Sequence, residues 1–75
     1  MMNPERSAIL LAFETENDVL TKRQILDRSK APEIQLNYCV DMKLIAMREW
    51  QPKVPRLYFL TPHGRDKRDE CVVGD

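Results

Sequence analysis

Apolar residues recur along this chain in short runs, each bounded by residues that favour turns or helix ends. Arg6, Ile9, Leu10 and Phe13 fall at helical spacing, and the stem of Arg6 can lie along the face of the three apolar side chains. Asn3-Pro4-Glu5 opens that helix: Asn suits the N-cap, Pro the first helical position, and Glu the positive helix end. The helix is expected to stop near Asn17-Asp18, both turn formers. Val19-Leu20 is too short for a helix and reads as a bridge or strand stub. Thr21, with Gln24 three residues on, fits a capping box. It predicts a short second helix to about Arg28 that buries Ile25 and Leu26. Ser29-Lys30-Ala31 is a tight link, and Pro32 with Glu33 marks the start of a third helix.

The third helix does not declare its inner side. At about 100° per residue, Leu36, Cys39 and Val40 share one side with the stem of Lys43. Ile34, Tyr38 and Met42 share the other, flanked by Gln35 and Asn37. Both sides carry apolar residues, so periodicity leaves two assignments open. From Ile45 to Trp50 the pattern alternates loosely and reads as a strand. Gln51 to Val54-Pro55 is a turn, and Arg56 to Leu60 reads as a second strand, making a hairpin. Thr61-Pro62 caps a last short helix to about Asp69, with residues 70–75 expected as a frayed, flexible tail. All five prolines fall at these boundaries, and agreement of that kind between local signals supports the parse.

The expected fold class is therefore α+β, one domain over residues 1–69. A chain of 75 residues supports one modest core, burying about 60% of the surface it exposes when unfolded. Its 43% hydrophobic and 32% charged residues are ordinary for a globular domain. The longest apolar run, Ala8 to Phe13, is far short of the roughly 20 residues of a membrane helix. Glu5 beside Arg6 and the lack of a cleavage pattern argue against a secretory signal, so the expected location is the cytoplasm. Cys39 and Cys71 share no ligand spacing and read as reduced thiols. Net charge is zero, yet residues 22–68 hold eleven Lys and Arg against five acids, while both ends are acidic. A neutral chain can thus present a basic middle to a polyanion.

Two stretches resemble a known family. Leu44-Ile45 looks like the pair that ends the third helix of a winged helix-turn-helix and enters its first wing strand. Tyr58-Phe59-Leu60-Thr61-Pro62-His63-Gly64-Arg65 looks like the wing exit of MarR-like and PadR-like regulators. The resemblance covers roughly residues 5–68. It implies three helices, a two- to three-stranded antiparallel wing and a short C-terminal helix, with a small Gly64 where that last helix crosses close by. It departs from the family at Lys43, where Gly usually precedes the Leu-Ile pair, and at Ser29-Lys30, where the turn usually holds a small residue. The long dimerisation helices of those regulators are not among these residues.

The resemblance implies a sequence-specific binder of double-stranded DNA, a transcriptional regulator, with the third helix in the major groove and the wing on the flanking backbone. Leu36, Cys39 and Val40 would pack inward against Ile9, Leu10, Phe13 and Ile25. Ile34, Gln35, Asn37, Tyr38 and Asp41 would face the bases. Gln and Asn can pair adenine edges, Ile can touch a thymine methyl, and Tyr38 can bond a phosphate. Lys22, Arg23, Arg28 and Lys30 would contact phosphates around the groove, and Arg48, Lys53 and Arg56 would do so from the wing. Against this stand Glu33 and Asp41 on the reading face, unfavourable beside phosphates unless paired. The alternative is a protein-binding adaptor, or a homodimer, docking on the Ile34, Tyr38 and Met42 stripe. No enzyme chemistry, cofactor, metal or small-molecule substrate is expected. The single His63 and two distant Cys fall short of the four ligands of a zinc site. Cys39 reads as a core residue, Cys71 lacks the positive surroundings that favour a thiolate, and Trp50 reads as a packing cover.

Overall fold

A computed structural model describes residues 3–73. They form helix α1 (Pro4–Leu11), strand β1 (Val19–Thr21), helices α2 (Lys22–Ser29) and α3 (Glu33–Asp41), strands β2 (Ile45–Met47) and β3 (Leu57–Leu60), and helix α4 (Pro62–Val73). The result is a small α+β domain. Its three-stranded antiparallel sheet has β3 in the centre, with β1 on one side and β2 on the other. No helix among the described residues is long and apolar enough to cross a membrane.

The helix starts follow from local chemistry. The Asn3 side chain accepts the Glu5 amide at 2.8 Å, and Pro4 needs no partner for the proton it lacks. Thr21 and Gln24 close the capping box reciprocally, at 3.2 and 2.9 Å. Thr61 caps α4 by accepting the Gly64 amide at 3.0 Å, while its own hydroxyl donates to the Lys43 carbonyl. That bond ties the start of α4 to the end of α3.

The first helix ends at Leu11, well short of Asn17-Asp18, where the sequence leads one to expect its end. Two contacts explain the difference. The Phe13 amide bonds the Leu10 carbonyl at 3.2 Å, tightening the last turn. The Asp18 carboxylate then takes the amides of Glu14 (2.8 Å) and Thr15 (3.3 Å), which compete with continued helix. The bend carries Phe13 fully into the core. Strand β2 is likewise shorter than the expected run to Trp50, although the Arg48 amide adds one more rung by donating to the Leu57 carbonyl at 2.8 Å. The last helix runs longer than expected. Glu70 to Val73, read from sequence as frayed tail, are helical, and residues 74–75 lie outside the described residues.

Among the described residues, left-handed backbone appears at three lysines, Lys30 (φ 59°), Lys43 (φ 64°) and Lys53 (φ 64°), and not at Gly64. A side chain there costs about 1–2 kcal/mol relative to right-handed backbone. Lys30 ends α2 and turns the chain into α3. Lys43 completes a Schellman ending on α3: its amide bonds Val40 at 3.0 Å and the Leu44 amide bonds Cys39 at 2.9 Å. Buried Leu44 and Cys39 supply the apolar contact of that motif. The two positions where the resembled family has Gly or a small residue are thus the ones that need the special conformation, and lysine adopts it. Gly64 is small for a different reason. A Cβ there would sit 1.8 Å from the Leu44 carbonyl oxygen, so α4 crosses the α3 exit backbone to backbone.

One core joins the layers. Ile9, Leu10 and Phe13 of the first segment, Ile25 of α2, Leu36 and Cys39 of α3, and Ile45 and Leu60 of the sheet are almost wholly buried. Val40 and Leu26 pack against its edge. This settles the inner side of α3: Leu36, Cys39 and Val40 point in. The opposite assignment fails, since Ile34 is 69% and Met42 49% exposed. Leu36 and Cys39 share one buried cluster with Ile9, Leu10, Phe13 and Ile25, while Tyr38 stays at the surface.

Candidate nucleic-acid interface

The outer side of α3 carries Glu33, Ile34, Asn37, Tyr38, Asp41 and Met42, all exposed. Gln35 lies on the flank and is half-buried. Of the five residues expected to face bases, four are therefore solvent-facing and the fifth is engaged within the chain. Arg6 of α1 reaches it: the Arg6 Nε donates to Gln35 Oε1 at 2.8 Å. The Arg6 guanidinium also stacks on Tyr38, 3.5 Å from the ring centre. Sequence reasoning gave Arg6 only a packing stem. The signal available was a cation at helical spacing from Ile9, Leu10 and Phe13, on a face otherwise apolar.

The cations expected on phosphates divide by location. Lys22 pairs with Glu33 at 3.2 Å and Arg23 with Asp27 at 3.8 Å. Both pairs are exposed, so each contributes little to stability. Glu33 thereby gains a partner in Lys22. Arg28 turns to the end of α1, donating to the Ala12 carbonyl at 3.2 Å with Glu14 4.0 Å away. Lys30, Arg48, Lys53 and Arg56 are exposed and enter no ion pair among the described residues. The last three ring the hairpin between β2 and β3. Trp50, expected to cover the core, is instead 64% exposed on the same hairpin. Its strand ends at Met47, so nothing seats the indole on the sheet.

Arg68, not singled out from sequence, belongs to the frame. Its guanidinium donates to the carbonyls of Phe13 and Glu14, and its side chain is only 16% exposed. It thus satisfies acceptors left open where α1 stops.

Little else offers chemistry. Cys39 is fully buried, and burial pushes its thiol up to about 11, with the nearby Arg6 charge opposing only part of that rise. It stays a protonated core side chain at neutral pH. Cys71 is free and half-buried against the core. His63 is exposed in the first turn of α4. Among the described residues no group of His, Cys, Asp and Glu is placed to hold a metal ion. A hollow of about 290 Å³ in the hairpin is lined by Arg48, Glu49, Gln51, Val54, Pro55 and Leu57. It is formed by an exposed loop. Comparison of the chain with protein-family models, curated proteins and solved structures finds no match.

Proposed function

We propose that this chain is a winged helix-turn-helix that binds double-stranded DNA, acting as a transcriptional regulator. In this reading α3 enters the major groove and the β2–β3 hairpin is the wing on the flanking backbone. The observation that carries it is the division of labour around α3. Its inner residues Leu36 and Cys39 are fully buried, its outer residues Ile34, Asn37, Tyr38 and Asp41 are exposed, and the adjoining hairpin holds three cations without ion-pair partners among the described residues. A helix held rigidly from behind, with polar and apolar groups presented in front, can read donor, acceptor and methyl patterns. Free cations beside it supply the phosphate contacts that set affinity and salt dependence.

A second reading has its own support. Ile34, Tyr38 and Met42 form an exposed apolar stripe at helical spacing, with acidic Glu33 and Asp41 beside it. Such a stripe suits a protein partner. One experiment separates the two: the chain is mixed with a pool of random duplex DNA at several salt concentrations. Micromolar or tighter binding that weakens steeply with salt supports the DNA reading. No binding at low salt sinks it and leaves the stripe as a protein-docking face.

A further inference from the structure

We propose that the β2–β3 hairpin stacks Trp50 on an unpaired base, so that the chain prefers DNA in which a duplex meets a single strand. The inference rests on the DNA reading above and deepens it. Trp50 is the one tryptophan of the chain, and it is 64% exposed. A lone exposed apolar residue is ordinary. This one is not alone: Met47 and Val54, 39% and 49% exposed, flank it on the same hairpin. Nor does the indole fill the loop that carries it. Its neighbours Glu49 and Gln51 line the hollow of the hairpin with Arg48, Val54, Pro55 and Leu57, and Trp50 does not.

The loop keeps this ring close to charge. The Arg48 amide closes the hairpin on the Leu57 carbonyl at 2.8 Å, so residues 49–56 leave and return to one place. Out and back, such an excursion reaches no further than about 14 Å. Trp50, Lys53 and Arg56 lie on it, and Arg48 stands at its root. These three cations outnumber the loop's acid, Glu49, and enter no ion pair among the described residues. Pro52, Pro55 and the left-handed Lys53 restrict the backbone, so a ligand has less freedom to remove on binding. An open aromatic face among unpaired cations is the chemistry that holds single-stranded nucleic acid, the ring taking a base and the cations its phosphates. An apolar protein surface would cover Trp50 and Val54 but give the cations nothing.

An intact duplex does not satisfy the indole. Its bases already stack on both faces, and a side chain enters only by unstacking a step. Where the duplex gives way to a single strand, a base face stands open. With α3 in the groove and the hairpin on the flank, the wing meets such a junction at the edge of the bound site.

The test compares affinity for three DNAs at one salt concentration: a blunt duplex, the same duplex with a short single-stranded extension, and the same again with the extension built from abasic nucleotides. The third carries the phosphates of the second without its bases. The extension with bases is expected to bind more tightly than the abasic one by about 5- to 150-fold, the range that alanine substitution gives for one stacked base. Trp50→Ala should bring that ratio close to one, and Trp50→Phe should restore part of it. Because the chain has a single tryptophan, its fluorescence reports the contact directly in the wild type, quenched by the extension with bases well beyond the abasic one. A wild-type ratio near one, a ratio that Trp50→Ala leaves unchanged, or equal quenching by both extensions overturns the inference, and binding to the blunt duplex then leaves the DNA reading standing. Binding to the duplex extended with bases but not to the blunt one supports the stacking and overturns the reading of plain double-stranded DNA. Failure to bind any of the three overturns both.

Discussion

Two loops bend the chain between its elements, and they treat their charges in opposite ways. Residues 12–18 join α1 to β1, and there five of the six side-chain hydrogen bonds serve the backbone. Arg28 and Arg68 donate to the carbonyls of Ala12, Phe13 and Glu14, while Asp18 accepts the amides of Glu14 and Thr15. Residues 48–56 join β2 to β3 and are shaped by Pro52, Pro55 and the left-handed Lys53. Their cations do no such work: the one recorded side-chain contact is a long 3.7 Å approach of Arg56 to the Met47 sulfur. A helix that stops early leaves carbonyls open, and nearby arginines are drawn to them. A hairpin closes its ladder strand to strand, so its cations stay in water. Counting Lys and Arg along the chain cannot separate these roles. The presence of unsatisfied backbone acceptors within reach does.

The largest test of that contrast exchanges one arginine from each loop's surroundings for methionine, which keeps the apolar stem. Arg68→Met leaves two carbonyls without their charged donor. Hydrogen bonds to charged groups contribute about 1.5–3 kcal/mol each, so a loss of about 2–4 kcal/mol is expected in urea denaturation. Arg56→Met is expected to stay within about 0.5 kcal/mol of wild type, as for surface changes generally. Equal losses from both variants, or none from Arg68→Met, would break the comparison.

A second test runs the other way. Replacing Arg48, Lys53 and Arg56 together by Gln is expected to leave stability nearly unchanged. The same change should flatten the dependence of DNA affinity on salt, the log–log slope falling by about 0.9 for each phosphate contact removed. The measurement is affinity for one duplex from low to moderate salt, beside the denaturation midpoint. An unchanged slope would mean that these cations do not touch the backbone, and the hairpin would lose its assigned role.

The same contrast explains which parts of the molecule could be read from sequence. Capping boxes and prolines at helix starts depend on residues within four positions of one another. Such signals survive in a linear string. The inner side of α3 did not show, because Ile34, Tyr38 and Met42 are as apolar as Leu36, Cys39 and Val40. Only the shape of the cavity left by α1 and α2 chooses between them. The early stop of α1 depends on Asp18 out-competing the helix for two amides, a contest whose outcome the sequence pattern does not display. Arg6, Arg28 and Arg68 were the least legible. Their partners lie 29, 16, and 54 to 55 positions away, and the backbone carbonyls that Arg28 and Arg68 meet have no side-chain identity to recognise. The residues of α3 could be grouped by face from sequence, though not assigned inward or outward, whereas the cations could only be counted.

The smallest test concerns acid. The Thr15 hydroxyl above all holds the Asp18 carboxylate below its usual range; desolvation opposes it, and the amides of Thr15 and Glu14 and the Arg28 charge add to the lowering. Because the folded state prefers the ionised form, Asp18 contributes stability above its unfolded pKa, and that contribution disappears as pH falls through the lower folded value. The hairpin has no corresponding carboxylate bonded into its loop, so acid should loosen residues 12–18 first. The measurement is the melting temperature of wild type and Asp18→Asn across the acid range. The difference between them should be constant near neutrality and shrink on acidification, since the other carboxylates titrate in both proteins. Asp18 lies at the surface, only half-buried, so water screens its charge and the shrinkage should be small; amide exchange at Glu14 and Thr15 is the more sensitive readout. A difference that stays flat to the lowest pH would mean that the carboxylate's charge adds nothing, and that the loop is held by Arg28 and Arg68 alone.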